Sequence, residues 1–178
     1  MLTGIGGQGV QLAAKTLAMA ATAAGRQVMM SSHYGGEMRG GQTEASVVIA
    51  DGRLRSVPIL ESTWSAFVMH PRYWPGVASR LRPGGVAVYN SSVAGDLPGG
   101  DFTLHPVPAG EIAAGLGSPM AAGFVLLGAF GAITGLADTE LMVEAMKKLV
   151  PPYRTQHLSL NESALRAGAG AVTAGAGS

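Results

Sequence analysis

Hydrophobic residues recur along the first part of the chain with two different periods. Between Val10 and Ala21 they fall at intervals of three and four residues, which predicts an amphipathic helix. Gly25 is a predicted end for that helix, and residues 27–31 (Gln-Val-Met-Met-Ser) then predict a strand. An apolar stub at residues 1–3 precedes the helix, so the order predicts a β-loop-α-β unit.

The rest of the chain continues to alternate between short apolar runs and helical patterns. Strands are predicted at residues 43–50, 54–59, 66–69, 86–89 and 102–107, and helices at residues 74–81, 112–116, 120–134, 139–149 and 159–167. This order predicts a single α/β, Rossmann-like domain with a mostly parallel sheet flanked by helices on both faces. We expect the domain to span residues 1–168, with the C-terminal helices at a subunit interface. The Gly/Ala-rich residues 169–178 are expected to form a flexible tail.

A glycine-rich loop connects the first strand to the first helix. Gly4, Gly6 and Gly9 match the pattern Gly-x-Gly-x-x-Gly, which permits tight turns and close approach of a ligand to the backbone. The helix that follows directs free N–H groups and a partial positive charge toward that place. An NAD site also needs an acidic residue at the end of the second strand, where this chain has Ser-Ser-His at residues 31–33. The pattern alone is therefore a weak indication of a dinucleotide site.

Composition and charge exclude several classes of function. The net charge of +1 gives no electrostatic reason to bind nucleic acid or an anionic membrane. Only 13% of the residues are charged, against about 25% in ordinary soluble domains, which favours a subunit partly covered by partners over a merely Ala/Gly-rich protein. The uncharged residues 112–137 contain many glycines and lack basic or aromatic flanks, so they predict a buried helix rather than a membrane span. The first 25 residues lack the basic start of a signal peptide, and we expect a cytoplasmic protein.

The chain contains no cysteine, and its four histidines are widely scattered. Disulfides, thiolate catalysis, iron–sulfur ligation and cysteine-based zinc sites are therefore excluded on this chain. No catalytic or metal-ligating residue is predicted. His33 and residues 90–92 end two strands at the edge where open α/β sheets bind ligands, but without an acidic partner nearby in sequence they are more typical of hydrogen-bonded loop residues.

Four segments together resemble a known family. Residues 4–10 (Gly-Ile-Gly-Gly-Gln-Gly-Val) and residues 34–41 (Tyr-Gly-Gly-Glu-Met-Arg-Gly-Gly) are similar to two of its motifs. The Leu-Gly-Ala of residues 127–129 and the spacing of Asn161, Ala164 and Gly168 are similar to two more. The family is the γ subunit, or γ domain, of 2-oxoacid:ferredoxin oxidoreductases acting on pyruvate, 2-oxoglutarate or ketoisovalerate, to which the small subunit of indolepyruvate oxidoreductase is related.

The resemblance implies a part in a larger enzyme rather than an independent catalyst. Such complexes decarboxylate a 2-oxoacid oxidatively on thiamine diphosphate with Mg²⁺, pass the electrons through [4Fe-4S] clusters to ferredoxin, and transfer the acyl group to coenzyme A. The thiamine and the clusters belong to α, β and ferredoxin-like partner subunits. The γ part is linked to coenzyme A access and to assembly, in a cytoplasmic hetero-oligomer of anaerobic metabolism.

Two motifs supply the candidate cofactor-binding residues, and for each a purely structural role is the alternative. In the first loop, Gly6, Gly7, Gln8 and Gly9 offer backbone N–H groups to a phosphate or a carboxylate, or only pack against the α subunit. Arg39 could bind such an anion with both guanidinium nitrogens, or could instead pair with Glu37 or with an acidic residue of a partner. Gly40 and Gly41 complete the set. Two other functions remain open, a stand-alone nucleotide-dependent oxidoreductase and a purely structural adaptor.

Overall fold

A six-stranded sheet forms the centre of the protein in a computed structural model that describes residues 1–35, 40–54 and 60–175. The strand order is β2-β3-β1-β4-β5-β6. The strands are β1 (Leu2–Ile5), β2 (Gln27–Tyr34), β3 (Gln42–Ala50), β4 (Thr63–Val68), β5 (Leu81–Asn90) and β6 (Thr103–Val107). The pairs β1–β4, β4–β5 and β5–β6 are parallel, which confirms the predicted α/β domain with a mostly parallel sheet.

One hairpin interrupts the parallel order. β3 lies between β2 and β1 and is antiparallel to both. A connection of seven residues between Tyr34 and Gln42 is too short for a crossover, so the two strands that it joins have to be antiparallel neighbours. The predicted strand at residues 54–59 is not observed at Leu54, and its other residues lie outside the described ranges.

Seven helices are assigned in the described part of the chain. They are α1 (Val10–Ala23), α2 (Trp74–Ala78), α3 (Ser91–Ala94), α4 (Ala109–Gly115), α5 (Ala122–Thr134), α6 (Thr139–Leu149) and α7 (Leu158–Gly175). Short 3-10 turns at Pro71–Tyr73, Pro119–Ala121 and Pro152–His157 precede α2, α5 and α7. α6 has the bounds that the hydrophobic period predicts. α7 includes residues 169–175, where the composition predicts a tail; whether they are flexible stays a prediction.

The two faces of the sheet are covered unequally. Alternate side chains of the central strands, including Leu2, Phe67 and Val88, pack in one apolar cluster with α1, α5 and α6. On the opposite face a smaller cluster joins Trp74 and Val77 of α2 to β4 and β5. The end of β2 and the first half of β3 line a cavity on this second face instead. The predicted cover on both faces is thus full on one side and partial on the other for the residues that the structure describes.

The uncharged helix α5 lies inside the molecule. Nine of its residues are buried, and its closest helical neighbour is α7. The two backbones touch, because a Cβ placed on Gly128 would lie 1.9 Å from the carbonyl oxygen of Leu165, and one on Gly168 would lie 1.8 Å from that of Val125. Burial within the chain therefore accounts for the apolar sequence of α5, and the expected contact of the C-terminal helices with another subunit stays a prediction. No helix in the described ranges has the length and apolar character that would let it cross a membrane.

Candidate functional site

The carboxyl ends of five strands lie along one edge of the sheet. β1, β4, β5 and β6 are parallel, and β2 shares their direction because β3 is antiparallel to both β1 and β2. This edge carries the glycine loop after β1 and the hairpin connection after β2. It is where open α/β sheets bind their ligands.

The glycines of the first loop have different reasons to be there. Gly7 and Gly9 have φ angles of 95° and 76°, a left-handed conformation that disfavours any side chain. A Cβ on Gly4 would lie 2.8 Å from both the Gln8 Oε1 atom and the Val10 Cγ2 atom, so the fold leaves no room there. Gly6 differs from these three, since its φ is not positive and the nearest atom to a Cβ would be 3.6 Å away.

Gln8 holds the loop together from inside. Its side-chain Oε1 accepts a hydrogen bond of 2.9 Å from the N–H of Ile5, and its own N–H donates to the carbonyl oxygen of Ile5 at 3.2 Å. The N–H of Gly6 donates to the carbonyl oxygen of Gly41 at 2.9 Å. Of the loop N–H groups predicted to face a ligand, those of Gly6 and Gln8 are thus used within the protein.

The loop still presents free donors to solvent. Among the described residues, the N–H groups of Gly7 and Gly9 have no hydrogen-bond partner, and both residues are exposed. No side chain caps the N-terminus of α1, and its first turn contains no acidic residue. A helix N-terminus with unpaired N–H groups attracts an anionic group such as a phosphate or carboxylate.

The structure brings the two predicted motifs together. Gly41 is hydrogen-bonded to Gly6, and the backbone nitrogen of Gly40 is the atom 3.6 Å from the Cβ position of Gly6. The glycine loop and the end of the hairpin connection are therefore neighbours at one edge of the sheet. Arg39 lies outside the described residues.

A second polar feature lies beside the hairpin, on the partly covered face of the sheet. It is a cavity of about 390 Å³ lined by His33, Gly35, Gln42, Glu44, Ser46, Leu60 and Arg80. None of the loop residues 6–9 is among its lining. The Arg80 guanidinium donates to Glu44 Oε1 at 2.7 Å and to the carbonyl oxygen of Leu60 at 2.9 Å. The sequence did not reveal this ion pair, because Arg80 follows Glu44 by 36 positions and only the fold joins them.

The polar residues after β5 have structural roles. The Asn90 side-chain oxygen accepts from the N–H of Ser92 and thereby caps α3. The Ser92 hydroxyl oxygen accepts from the N–H groups of Gly110 and Glu111 at the start of α4, at 3.0 and 3.2 Å. These bonds explain both residues without a ligand.

Comparison with known proteins identifies the family. The chain matches the model of the pyruvate ferredoxin/flavodoxin oxidoreductase family over residues 1–171. It belongs to that family. It is 36% identical over 148 residues to the ketoisovalerate oxidoreductase subunit VorA of Methanothermobacter thermautotrophicus, an alignment that covers 82% of this chain. The same alignment spans only 30% of VorA, so the chain corresponds to about a third of that relative.

Two solved oxidoreductase structures share the fold of this chain. The γ subunit of a keto/oxoacid ferredoxin oxidoreductase from Geobacter sulfurreducens PCA superposes with a TM-score of 0.79, at 29% identity, and covers 94% of this chain and 93% of that one. The 2-oxoglutarate:ferredoxin oxidoreductase of Magnetococcus marinus, solved with 2-oxoglutarate, coenzyme A and succinyl-CoA, superposes with a TM-score of 0.86 over 97% of this chain and 30% of that one. At 19% identity, this second likeness concerns the fold alone.

Proposed function

We propose that the chain is the γ subunit of a 2-oxoacid:ferredoxin oxidoreductase complex and has no activity by itself. The observation that carries the proposal is the match to the family over residues 1–171, together with the likeness to a γ subunit along nearly the full length of both chains. The complex would oxidise a 2-oxoacid to the acyl thioester of coenzyme A. Its partners would be α, β and ferredoxin-like subunits in the cytoplasm, with ferredoxin as the electron acceptor.

Within that complex, the loop of residues 6–9 together with Gly40 and Gly41, here called the glycine edge, would form part of the coenzyme A site. Coenzyme A carries phosphate groups, and the free N–H groups of Gly7, Gly9 and the first turn of α1 are suited to bind one of them. Gly6 would let the ligand approach the backbone, since the fold itself leaves space for a side chain there. Gln8 would act by holding the loop in shape, and Gly40, Gly41 and Arg39 would complete the wall.

The other cofactors would belong to the partner subunits. A chain without cysteine supplies no thiolate ligands for a [4Fe-4S] cluster, so the clusters need another polypeptide. Thiamine diphosphate and Mg²⁺ would likewise lie on the α and β subunits. This chain would then contribute binding and orientation at the acyl acceptor, and no step of electron transfer.

Purification of the tagged chain with its native partners tests this function. The purified material is analysed for thiamine and iron and assayed with a panel of 2-oxoacids, coenzyme A and a viologen acceptor. We expect a brown complex that reduces the viologen only when both a 2-oxoacid and coenzyme A are present. A colourless, monodisperse monomer without partners would contradict the proposal.

A purely structural adaptor is the second candidate. One observation favours it. Of the four N–H groups of residues 6–9, those of Gly6 and Gln8 are hydrogen-bonded within the protein, so that only two are left for a ligand. The two candidates predict different effects of a side chain at position 6. In an adaptor, Gly6→Ala would impair assembly of the complex, whereas in a ligand site it would weaken the binding of coenzyme A. A stand-alone nucleotide-dependent oxidoreductase is not favoured, since β2 ends without the acidic ribose ligand, and it predicts NAD(P) binding by the isolated chain.

A further inference from the structure

The strand β2 forms one edge of the sheet. It is the first strand in the order β2-β3-β1-β4-β5-β6, and it pairs with β3 in an unbroken register from Gln27 to Tyr34. Among the described elements, only β3 and α1 pack extensively on β2, and α1 lies on a face of the sheet rather than beyond its edge. The outer side of β2 is therefore an open edge in the part of the chain that the structure describes.

The hydrogen bonds to β3 show which backbone groups of β2 face outward. The N–H of Gly35 donates to the carbonyl oxygen of Gln42 at 2.7 Å, so these two residues form a hydrogen-bonded pair of the antiparallel ladder. Such pairs alternate along a ladder, so the odd-numbered residues of β2 bond to β3 and the even-numbered ones direct their N–H and C=O away from it. Val28, Met30 and Ser32 therefore present backbone donors and acceptors at the edge, and the described residues provide no partner for them.

β2 lacks the features by which proteins usually protect an open edge. Those features are charged side chains, proline, bulges and short length. β2 has eight residues, Gln-Val-Met-Met-Ser-Ser-His-Tyr, with no Lys, Arg, Asp, Glu or Pro, and its pairing with β3 has no bulge. The opposite edge differs, because β6 has five residues and includes Pro106, which has no N–H to donate. One edge of the sheet is thus protected and the other is able to pair.

We propose that β2 pairs with β2 of a second copy of this chain, antiparallel about a twofold axis, so that the two sheets become one continuous sheet. A twofold axis requires a self-complementary edge. This edge is self-complementary, because its outward groups belong to residues of one parity and an antiparallel copy brings each outward N–H against an outward C=O. An uncharged strand also meets its own copy without repulsion, whereas like charges directly opposite each other would destabilise the pair.

The backbone pattern also specifies the register of the pair. Only registers that oppose outward residues to outward residues form the ladder, and those with the longest overlap have their axis at Met30 or at Ser31. An axis at Met30 opposes the two Met30 side chains on the face where they adjoin the main apolar cluster, and it opposes Val28 to Ser32 of the second copy. An axis at Ser31 would oppose two serines instead. Apolar contact therefore favours the axis at Met30.

Single cysteines in the full chain test the pairing and its register, since the chain itself contains no cysteine. In the proposed register the two copies of residue 30 are directly opposite, with Cα atoms about 5.5 Å apart, which is within reach of a disulfide. The two copies of residue 28 are displaced along the strands by about 14 Å, which is out of reach. In a glutathione redox buffer we expect Met30→Cys to form a covalent dimer at least about tenfold more abundantly than Val28→Cys.

Two substitutions of Ser32 test the backbone ladder. Ser32→Pro and Ser32→Ala both remove the hydrogen bond from the Ser32 hydroxyl to Gln11 Oε1, but only the proline also removes an outward N–H. That N–H makes no bond within the sheet, so an edge strand should tolerate the proline, and circular dichroism checks that both variants are folded. In sedimentation equilibrium we expect the parent and Ser32→Ala to dimerise. Ser32→Pro should associate at least about tenfold more weakly, because each dimer loses two hydrogen bonds between the copies.

Three results would overturn the proposal. Equal cross-linking of Met30→Cys and Val28→Cys would contradict the pairing of the two strands about Met30. Equal dimerisation of Ser32→Pro and Ser32→Ala would place the contact away from this edge. A parent chain that stays monomeric, while Ser32→Pro alone fails to join other subunits, would show that β2 accepts a strand of another polypeptide. None of these measurements uses coenzyme A or a 2-oxoacid, so their outcome is independent of the proposed function.

Discussion

At the scale of single residues, the glycine loop shows that the glycines of one motif have different structural roles. The sequence predicts that the glycines of the pattern permit close approach to the backbone, and the structure gives the four glycines of the loop different reasons for their positions. Gly7 and Gly9 are required by their φ angles, Gly4 by crowding, and Gly6 by neither. Only Gly6 is therefore free to report on a ligand or a partner without a direct effect on the fold.

Substitution of two of these glycines should separate folding from function. Gly4→Ala would place a Cβ 2.8 Å from Val10 Cγ2 in a buried place, and we expect a loss of about 1–3 kcal/mol in the free energy of unfolding. Gly6→Ala should change it by less than about 0.5 kcal/mol, since the Cβ has ordinary contacts. Urea unfolding of both variants is the measurement. Equal destabilisation by the two substitutions would contradict the assigned geometry.

The ion pair of the hairpin cavity should contribute to stability. The side chains of Glu44 and Arg80 are 13% and 29% exposed, so Arg80→Ala leaves a largely buried carboxylate without its partner. We expect a loss of about 1–3 kcal/mol, whereas Glu44→Gln, which keeps a hydrogen-bond acceptor, should cost less. Thermal unfolding of the two variants checks this order. An Arg80→Ala variant as stable as the parent chain would show that the ion pair does not contribute to stability.

The amino group of Met1 should make stability depend on pH in a chain that carries it free. It is buried, and desolvation lowers its pKa from 8.0 to about 5. Between these values the unfolded chain holds a proton that the folded chain does not, so stability rises with pH and is complete above pH 8. The gain is as much as about 4 kcal/mol.

Urea unfolding at pH 6 and pH 8 measures the part of this gain that falls between the two pH values, which is about 2 kcal/mol. The matched control carries four additional residues fused to the nitrogen of Met1, which is then an amide, so that its contribution to the pH dependence should vanish. The same slope in both chains would assign the pH dependence to other groups.

At the scale of elements, sequence patterns predict those features of a helix or strand that residues nearby in sequence determine. α6 has its predicted bounds because Asp138 accepts from the Glu140 N–H as an N-cap and the apolar residues keep a helical period. Such patterns could not predict that β3 lies antiparallel between β2 and β1, since the order of strands depends on which strands pair with each other in the folded sheet. The extension of α7 to Gly175 was not predicted either, because the Gly/Ala composition after residue 168 is typical of a flexible tail.

The contact between α5 and α7 should tolerate no side chain. Gly168→Ala would place a Cβ 1.8 Å from the carbonyl oxygen of Val125, a backbone atom that cannot turn away. We expect a loss of at least about 3 kcal/mol in stability, or separation of the two helices. Gly170→Ala is the matched control two positions on, where a Cβ meets nothing within 4 Å, and it should stabilise α7 by about 0.5–1 kcal/mol.

Circular dichroism melts of these two variants make the comparison. If Gly168→Ala melts at the temperature of the parent chain, the close approach of the helices is contradicted. A large loss in Gly170→Ala would point to a further contact on the opposite side of α7.

At the scale of the whole molecule, the sequence predicted the fold and the family, and the residues of the cofactor site stay a prediction. The α/β class follows from alternating periods, and the family from motifs in the right order over residues 1–171. The composition suggested a subunit with covered apolar surface, yet the structure buries most of its large apolar side chains by itself. Met19, Met29, Trp64, Val93 and Met120 are the exposed ones among the described residues. The meeting of the two glycine motifs, Gly6 with Gly41, required the hairpin that no local pattern shows.

The Michaelis constant for coenzyme A in the purified complex tests the central claim most directly. Complexes with Gly6→Ala and with Gly76→Ala, a control whose Cβ meets nothing within 4 Å in α2, are compared with the parent. We predict that Gly6→Ala raises the KM for coenzyme A by about tenfold or more without loss of assembly, and that Gly76→Ala leaves it unchanged. An unchanged KM in a correctly assembled Gly6→Ala complex would contradict a coenzyme A site at the glycine edge, and failure of that variant alone to assemble would identify an adaptor.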